Sequence, residues 1–138
     1  MNAVILLDSS LIVAYSNEVD ENHPKAKQVA DDVAKEKYGT PVITDYVFDE
    51  VVTVMLARTK SLARVTKLGE TLLAATRVVR IDKDLFDAAW VIFKQQRRNK
   101  LSFTDCTSIA ACRANGISNV ATFDEDLAEL DNVNAIGP

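Results

Sequence analysis

Short apolar stretches recur along this chain with helix-length segments between them, and that alternation restricts the fold more than any other feature. Ala3–Leu7 is the first such stretch. It has no polar residue to turn toward water, as expected of a strand covered on both faces. After Asp8-Ser9-Ser10 a short helical stretch runs to about Tyr15, and a polar loop leads to His23-Pro24. Pro24 suits a first helical turn, and Ala26, Val29, Ala30, Val33 and Ala34 then repeat at helical spacing. Tyr38-Gly39-Thr40-Pro41 interrupts the pattern before a second strand, Val42-Ile43-Thr44.

Asp45–Arg58 carries conflicting signals. Val47, Val51, Val52, Thr53 and Val54 favour strand by propensity. The adjacent Asp49 and Glu50 break strict alternation, and the length favours helix, so helix is the assignment. Leu62–Ala75 is another helix, Val78–Ile81 a third strand, and Asp82 a cap for the helix through Trp90 to Gln96. Ser102-Phe103-Thr104-Asp105 matches a capping box in its Asp-containing form and opens a helix rich in small residues. Asn115-Gly116 supplies a left-handed stop. Val120-Ala121-Thr122 is a fourth strand, Asp124–Leu130 a short helix, and Val133–Ile136 a fifth strand. Strands separated by helices imply right-handed crossovers and a parallel sheet with helices on both faces.

The totals set outer limits. The 138 residues suffice for one domain, 1–138, and 48% hydrophobic with 26% charged residues is ordinary for a globular protein. No apolar run approaches the roughly 18 residues of a bilayer span. The opening Met-Asn-Ala-Val-Ile-Leu-Leu stretch meets Asp8 too soon, and lacks the basic start, of a signal peptide. A cytoplasmic location without membrane attachment is the expectation. Cys106 and Cys112 sit six apart in a helical region and so point to different faces. Neither an internal disulfide nor a zinc pair is expected from them, and one histidine leaves little else for zinc. The net charge of −4 argues against a broad basic surface. Two local clusters stand out: Arg97, Arg98 and Lys100, and Arg58, Lys60, Arg64 and Lys67. Taken alone, each reads as a solvated helix end or face.

The acidic residues fall in informative places. Asp8 directly follows the first strand, and Asp124 lies two residues beyond the fourth. Ligand sites in open parallel sheets form beyond the carboxyl ends of the strands, where strand order reverses. Asp8 and Asp124 share that edge if the first and fourth strands are neighbours. Glu50 leaves its helix beside Val47, Val51 and Val54, from an apolar stripe rather than a wet face. Asp105 shares a stripe with Ile109 and Cys112 in the first turn of its helix. Each acid also has a plain structural explanation. Asp8 and Asp124 can cap the helices that follow, Asp105 can be only half of its capping box, and Glu50 can sit at the rim of its stripe. Asp45, Asp49, Asp82 and Asp126 belong to expected exposed faces or loops.

Together the four acids, Asp8, Glu50, Asp105 and Asp124, point to a divalent cation. Two unit charges about 4 Å apart repel by about 4 kcal/mol at an effective dielectric near 20. Converging carboxylates therefore need protons or a metal. Mg²⁺ or Mn²⁺ fits an all-oxygen site and supplies charge neutralisation and an activated water for phosphodiester hydrolysis.

Four blocks, in order along nearly the whole chain, resemble the PIN-domain nucleases, especially the toxins of VapBC-type toxin–antitoxin pairs. They are Ile5-Leu6-Leu7-Asp8-Ser9-Ser10-Leu11-Ile12-Val13-Ala14, Val47-Phe48-Asp49-Glu50-Val51-Val52, Leu101-Ser102-Phe103-Thr104-Asp105 with Ala110-Ala111, and Ala121-Thr122-Phe123-Asp124-Glu125-Asp126-Leu127. The resemblance implies a three-layer α/β/α domain around a five-stranded parallel sheet, and a metal-dependent endoribonuclease. It assigns Asp8, Asp105 and Asp124 as metal-binding carboxylates and Glu50 as a ligand or an orienter of the attacking water. Ser10 and Thr104 would hydrogen-bond to those acids, and Asp126 is a spare carboxylate near Asp124. His23 falls where such proteins often carry a histidine, and is assigned a structural or surface-exposed position. Phe86, Trp90 and Phe93, at helical spacing, are assigned to core or interface rather than to base stacking. The implied partners are RNA, a small antitoxin that inserts a basic side chain among the acids, and a second copy in a homodimer.

Two rivals remain. A haloacid dehalogenase-like or receiver-like phosphoryl-transfer protein also places an acid after its first strand. The former usually has a second Asp where this chain has Ser10, and both use a lysine, for which Lys83 is the nearest candidate. The other rival is a PIN-like module without catalysis, acting only in binding or assembly.

Overall fold

The computed structural model describes residues 3–98 and 100–137; Met1, Asn2, Asn99 and Pro138, which include both ends of the expected 1–138 unit, lie outside the described residues. The first apolar stretch forms β1 (Val4–Leu7), followed by α1 (Ser9–Ser16) and α2 (His23–Ala34). Then come β2 (Thr40–Thr44), α3 (Asp45–Thr59), α4 (Leu62–Ala75) and β3 (Arg77–Val79). The second half holds α5 (Lys83–Lys94), α6 (Phe103–Asn115), β4 (Asn119–Ala121), α7 (Glu125–Ala128) and β5 (Asn134–Ile136).

All strand pairings are parallel, in the order β3-β2-β1-β4-β5. The chain steps outward from β1 to β2 and β3, then returns through α5 and α6 to β4 on the other side of β1. Strand order therefore reverses between β1 and β4, where Leu6 pairs with Val120 and Leu7 with Ala121. That is the position at which a parallel sheet opens a crevice for ligands.

Side-chain alternation along the strands divides the core into two layers. Ile5, Leu7, Ile43 and Ala121 face one side, where they pack with α1, α2 and the buried residues of α3 and α4. Leu6, Val42 and Val120 face the other, against Cys112 and Ile117. In the same layer α5 closes on α6 through Ala89, Cys106 and Ala110, whose small side chains permit close approach. The three-layer α/β/α arrangement thus follows from apolar strands that have no wet side.

The disputed α3 is a helix despite its β-branched residues. Val47, Val51 and Met55 are buried at helical spacing, and the Thr44 hydroxyl accepts from the Val47 amide at 3.0 Å to cap the first turn. Burial of that stripe outweighs strand propensity. Asp82 caps α5 through the Leu85 amide, and Gly116 ends α6 at φ +65, both as expected.

Several boundaries differ from the sequence expectation. β3 stops at Val79 rather than Ile81, because the Ile81 amide donates to Asp45 Oδ1 at 3.0 Å instead of to a strand. α5 ends at Lys94 rather than Gln96. The Gln96 amide group instead brackets Leu101, donating to its carbonyl at 3.0 Å and accepting from its N–H at 2.8 Å. β4 is shifted one residue toward the N-terminus, Asn119–Ala121, and α7 is shorter than expected, ending at Ala128.

Gly39 marks how tightly β1 and β2 enter the sheet together. Its φ is +91, and a Cβ there would lie 2.0 Å from the Ala3 carbonyl oxygen. Gly39→Ala is expected to destabilise the protein by roughly 1–3 kcal/mol through the strained conformation alone, with the clash adding to it. Urea unfolding checks this; an unchanged midpoint would contradict the close entry of the two strands.

Candidate functional site

β1 and β4 end side by side, and each passes directly from a buried apolar residue to a buried polar one. Asp8 follows Leu7, and Thr122 follows Ala121. The Asp8 amide donates to the Ala121 carbonyl at 2.9 Å, so the ladder extends past β1 and determines where the Asp8 side chain leaves. Asp8 occupies the N-cap position of α1, yet its carboxylate makes no capping hydrogen bond. The plain capping explanation for Asp8 fails.

Its carboxylate is instead gripped from one side. Oδ2 accepts from Ser10 Oγ at 2.6 Å and from Thr122 Oγ1 at 2.8 Å. Each hydroxyl in turn accepts a backbone N–H: Phe123 to Ser10 at 3.0 Å, and Asp124 to Thr122 at 2.9 Å. The two hydroxyls also lie 3.2 Å from each other. Oδ1 is buried with no hydrogen-bond partner among the described residues. Asp8 is only 2% exposed. Burial pushes its carboxyl above the ordinary range, the Ser10 and Thr122 hydroxyls counter this, and the charge of Asp124 adds to the rise.

Asp105 approaches from the first turn of α6. Its capping box is real: Oδ2 accepts from the Ser102 amide at 2.9 Å, and Ser102 Oγ accepts from the Asp105 amide at 3.0 Å. The box does not explain the carboxyl's behaviour. The carboxyl's pKa is raised to about 6, chiefly by burial and in part by the charges of Asp8 and Asp124, with the Ser102 amide opposing. Asp124 is the N-cap of α7, with Oδ1 accepting from the Asp126 amide at 2.8 Å. Asp8, Asp105 and Asp124 therefore share one electrostatic environment while each keeps a structural bond.

Glu50 lies on α3 one turn after Tyr46, whose ring packs on Phe103 at the start of α6, 5.9 Å between centroids. Its Oε2 is buried without a hydrogen-bond partner among the described residues. A buried carboxylate oxygen left unpartnered is costly unless something else satisfies it. Glu50 and Asp8 present one such oxygen each.

The remaining candidates divide. Ser10 bonds Asp8 as expected. The Thr104 hydroxyl makes no hydrogen bond among the described residues; only its carbonyl is engaged, by the Thr107 hydroxyl at 2.6 Å. The hydroxyl that does hold Asp8 is Thr122, which the sequence reading counted only as the end of a strand. Its position two residues before Asp124 was the available signal. Asp126 faces Lys100 at 3.5 Å. Asp45, expected on an exposed face, is half-buried and bonds the Tyr46 and Ile81 amides. His23 is structural: Nδ1 lies 2.9 Å from the Ala14 carbonyl and ties α2 to α1. Lys83 pairs with exposed Asp87 at 2.6 Å, so it is not the site lysine that a dehalogenase-like or receiver-like reading needs. Cys106 and Cys112 are free and buried, and burial pushes both thiols up to about 11, away from nucleophilic or ligating chemistry.

A hard divalent cation fits this donor set. Two buried carboxylate oxygens lack partners among the described residues, and the charge of Asp124 raises both Asp8 and Asp105. Among the described residues no three Asp, Glu, His or Cys side chains stand ready as a coordination cluster.

Comparison with known proteins followed the same lines. A family model described as PIN domain matches residues 5–133. The 23S rRNA-specific endonuclease VapC20 of Mycobacterium tuberculosis is 29% identical over 125 residues, covering 91% of this chain and 92% of the relative. The crystal structure of VapC20, described as a Sarcin-Ricin loop cleaving toxin, superposes with a TM-score of 0.80 at 27% identity, covering 94% of this chain and 98% of that one. The VapBC2 complex of Rickettsia felis contains a chain that superposes at 0.71 with 12% identity, over 96% of this chain and 97% of that one, a likeness of fold.

The hydroxyl grip on Asp8 yields a test. Thr122→Val keeps the side-chain shape but removes one donor to Asp8 and the acceptor for the Asp124 amide. Stability is expected to fall by roughly 1–3 kcal/mol, the cost of buried polar groups left unpaired. Chemical denaturation measures this, and a neutral result would mean that Thr122 does not hold Asp8.

Proposed function

The chain belongs to the PIN-domain family, and from that premise we propose that it is a divalent-metal-dependent endoribonuclease, the toxin of a toxin–antitoxin pair. The observation that carries this reading is the buried Asp8 carboxylate, held through one oxygen, with the other unpartnered and with Asp105 and Asp124 acting on the same charge balance. The likeness to an rRNA endonuclease over nine-tenths of both chains supports RNA as substrate.

In this reading Asp8, Asp105 and Asp124 hold Mg²⁺ or Mn²⁺, and Glu50 is a further ligand or orients the attacking water. When bound, the metal supplies positive charge at the phosphodiester and water acidified enough to attack near neutral pH. The chain's own contribution is placement. Ser10 and Thr122 occupy Asp8 Oδ2 and leave Oδ1 as the donor. The Ser102 backbone N–H occupies Asp105 Oδ2. Asp126 is a nearby carboxylate beside Asp124, and the positioning hydroxyl is that of Thr122 rather than that of Thr104. The fitting partners are RNA, an antitoxin that sets an Arg or Lys among the acids, and a second copy of the chain. No helix among the described residues is long and apolar enough to cross a membrane, and an RNA substrate places the protein in the cytoplasm.

Asp8→Asn is expected to abolish cleavage of labelled RNA, while circular dichroism and melting show an intact fold. EDTA is expected to stop the native protein, and Mg²⁺ or Mn²⁺ to restore it. Retained cleavage in either arm would overturn the metal-dependent reading. The metal-free protein should also show a distinctive pH response. Folded Asp105 keeps its proton up to about 6, whereas its ordinary value is 3.8. Between about pH 4 and 6 the folded state binds more protons than the unfolded one, so this group favours folding as pH falls and disfavours it as pH rises. Asp105→Asn should therefore flatten the melting temperature across that window in EDTA, and an unaltered profile would contradict the buried, charge-coupled placement of Asp105.

A further inference from the structure

Between α6 and the short α7 the chain encloses a cavity of about 360 Å³. Its origin is the length of α7, which at 4 residues leaves the groove beside the 13-residue α6 unfilled. Ile109 and Cys112 of α6, Val120 of β4 and Leu127 of α7 supply apolar walls, and all four are buried.

One wall residue breaks a rule that the rest of the chain keeps. Ser108 is 3% exposed, and its hydroxyl has no hydrogen-bond partner among the described residues. A hydroxyl within a helix can return to the carbonyl one turn back. Ser16, Thr59 and Thr71 do so, at 2.8, 2.8 and 2.9 Å. Thr107, beside Ser108, reaches the Thr104 carbonyl at 2.6 Å. Ser108 does none of this, and a buried hydroxyl left unpartnered is costly unless a group from outside the chain satisfies it.

The mouth is polar. Arg113, Gly116, Ser118, Asp131 and Asn132 line it and are exposed, and a Cβ at Gly116 would meet nothing within 4 Å. Among the described residues, the large apolar side chains that stay exposed lie on α1, α3, α4 and α5 and at Val19, away from this mouth. A protein partner needs roughly 20–30 residues a side around an apolar centre, which this rim does not offer. The volume instead falls in the range of small-molecule pockets, roughly 300–1,000 Å³. Arg113 and Asp131 form no ion pair with each other among the described residues, and their opposite charges give the mouth no preference for an anion or a cation.

We propose that this cavity binds a small uncharged ring molecule, apolar over its body and carrying one hydrogen-bonding group for Ser108. An apolar cavity of about 150 Å³ seats benzene, so this one has room for a fused bicycle. The ligand lies against Ile109 and Leu127, each one turn beyond an acid: Asp105 in the first turn of α6 and Asp124 at the cap of α7. Its occupancy braces α7 against α6 and steadies Asp124. The site stands apart from the nuclease reading, since neither RNA nor metal enters it.

Indole, a neutral bicycle with one N–H, is the probe. Titrated into the isotope-labelled full-length protein, it is expected to shift the amide resonances of 108–118 and 127–133 saturably, with a Kd on the order of 0.1–1 mM for so few atoms. The Ala128 and Glu129 amides, which bond the Asp124 and Glu125 carbonyls, should exchange with solvent at least about twofold more slowly once it is bound. Ser108→Ala should weaken indole about fivefold, with the unliganded melting temperature unchanged or higher because the hydroxyl has no partner to lose. Leu130→Trp, which sets a ring into the cavity from its half-buried edge, should abolish the shifts. Benzoate, which adds a charge, should bind several-fold more weakly than indole. Indole that does not saturate, that shifts other parts of the chain, or that binds Ser108→Ala as tightly as the parent overturns the proposal. Benzoate binding as tightly as indole overturns the uncharged class, and unchanged amide exchange at saturation overturns the bracing of α7. A native mass that halves by light scattering in Leu130→Trp would give the cavity to a second copy instead.

Discussion

A carboxylate buried at the carboxyl end of the central strand is the constraint around which the remaining structure is arranged. Asp8 must be held, because an ionised group that is 2% exposed has little water to solvate it. Two hydroxyls do this, each within hydrogen-bond reach of Asp8 Oδ2 and each accepting a main-chain N–H. The Ser10–Phe123 and Thr122–Asp124 bonds thereby tie the turn after β1 to the turn after β4. The grip that positions the acid also joins the two strands between which the sheet reverses direction.

Around that point the fold concentrates negative charge. Asp105 and Asp124 each give one oxygen to local structure, Ser102 in one case and Asp126 in the other, which places the acids at the cost of keeping like charges near one another. Burial and repulsion together leave Asp105 near 6. In the metal-dependent function proposed above, a cation would relieve both the repulsion and the unsatisfied oxygens. The PIN-domain family model spans residues 5–133 and so takes in all of these acids.

Which site residues the chain announced, and which it hid, depended on how local their surroundings are. Asp8 and Asp124 stood out because each follows a strand, and Asp105 because its capping box is written in four consecutive residues. Glu50 stood out through its apolar neighbours on one helical face. Thr122 did not, because its importance comes from Asp8, 114 residues away. Thr104 drew attention by adjacency to Asp105, yet adjacency along a helix does not aim a side chain. Asp45 was read as surface because nothing near it in sequence shows that β3 will bring Ile81 to its carboxylate.

The order of elements, the parallel sheet and the layering were determined by the chain itself, because apolar strands without a polar face and capped helices between them leave few other ways to bury the core. The fate of the α5 stripes was not. Phe86, Trp90 and Phe93 have the spacing of a core face, and only the packing of Ala89 on α6 decided that the neighbouring stripe turns inward and leaves the larger rings in water. The balance of charge among three distant acids was likewise decided in space, since dielectric and separation are properties of the folded molecule and have no counterpart along the chain.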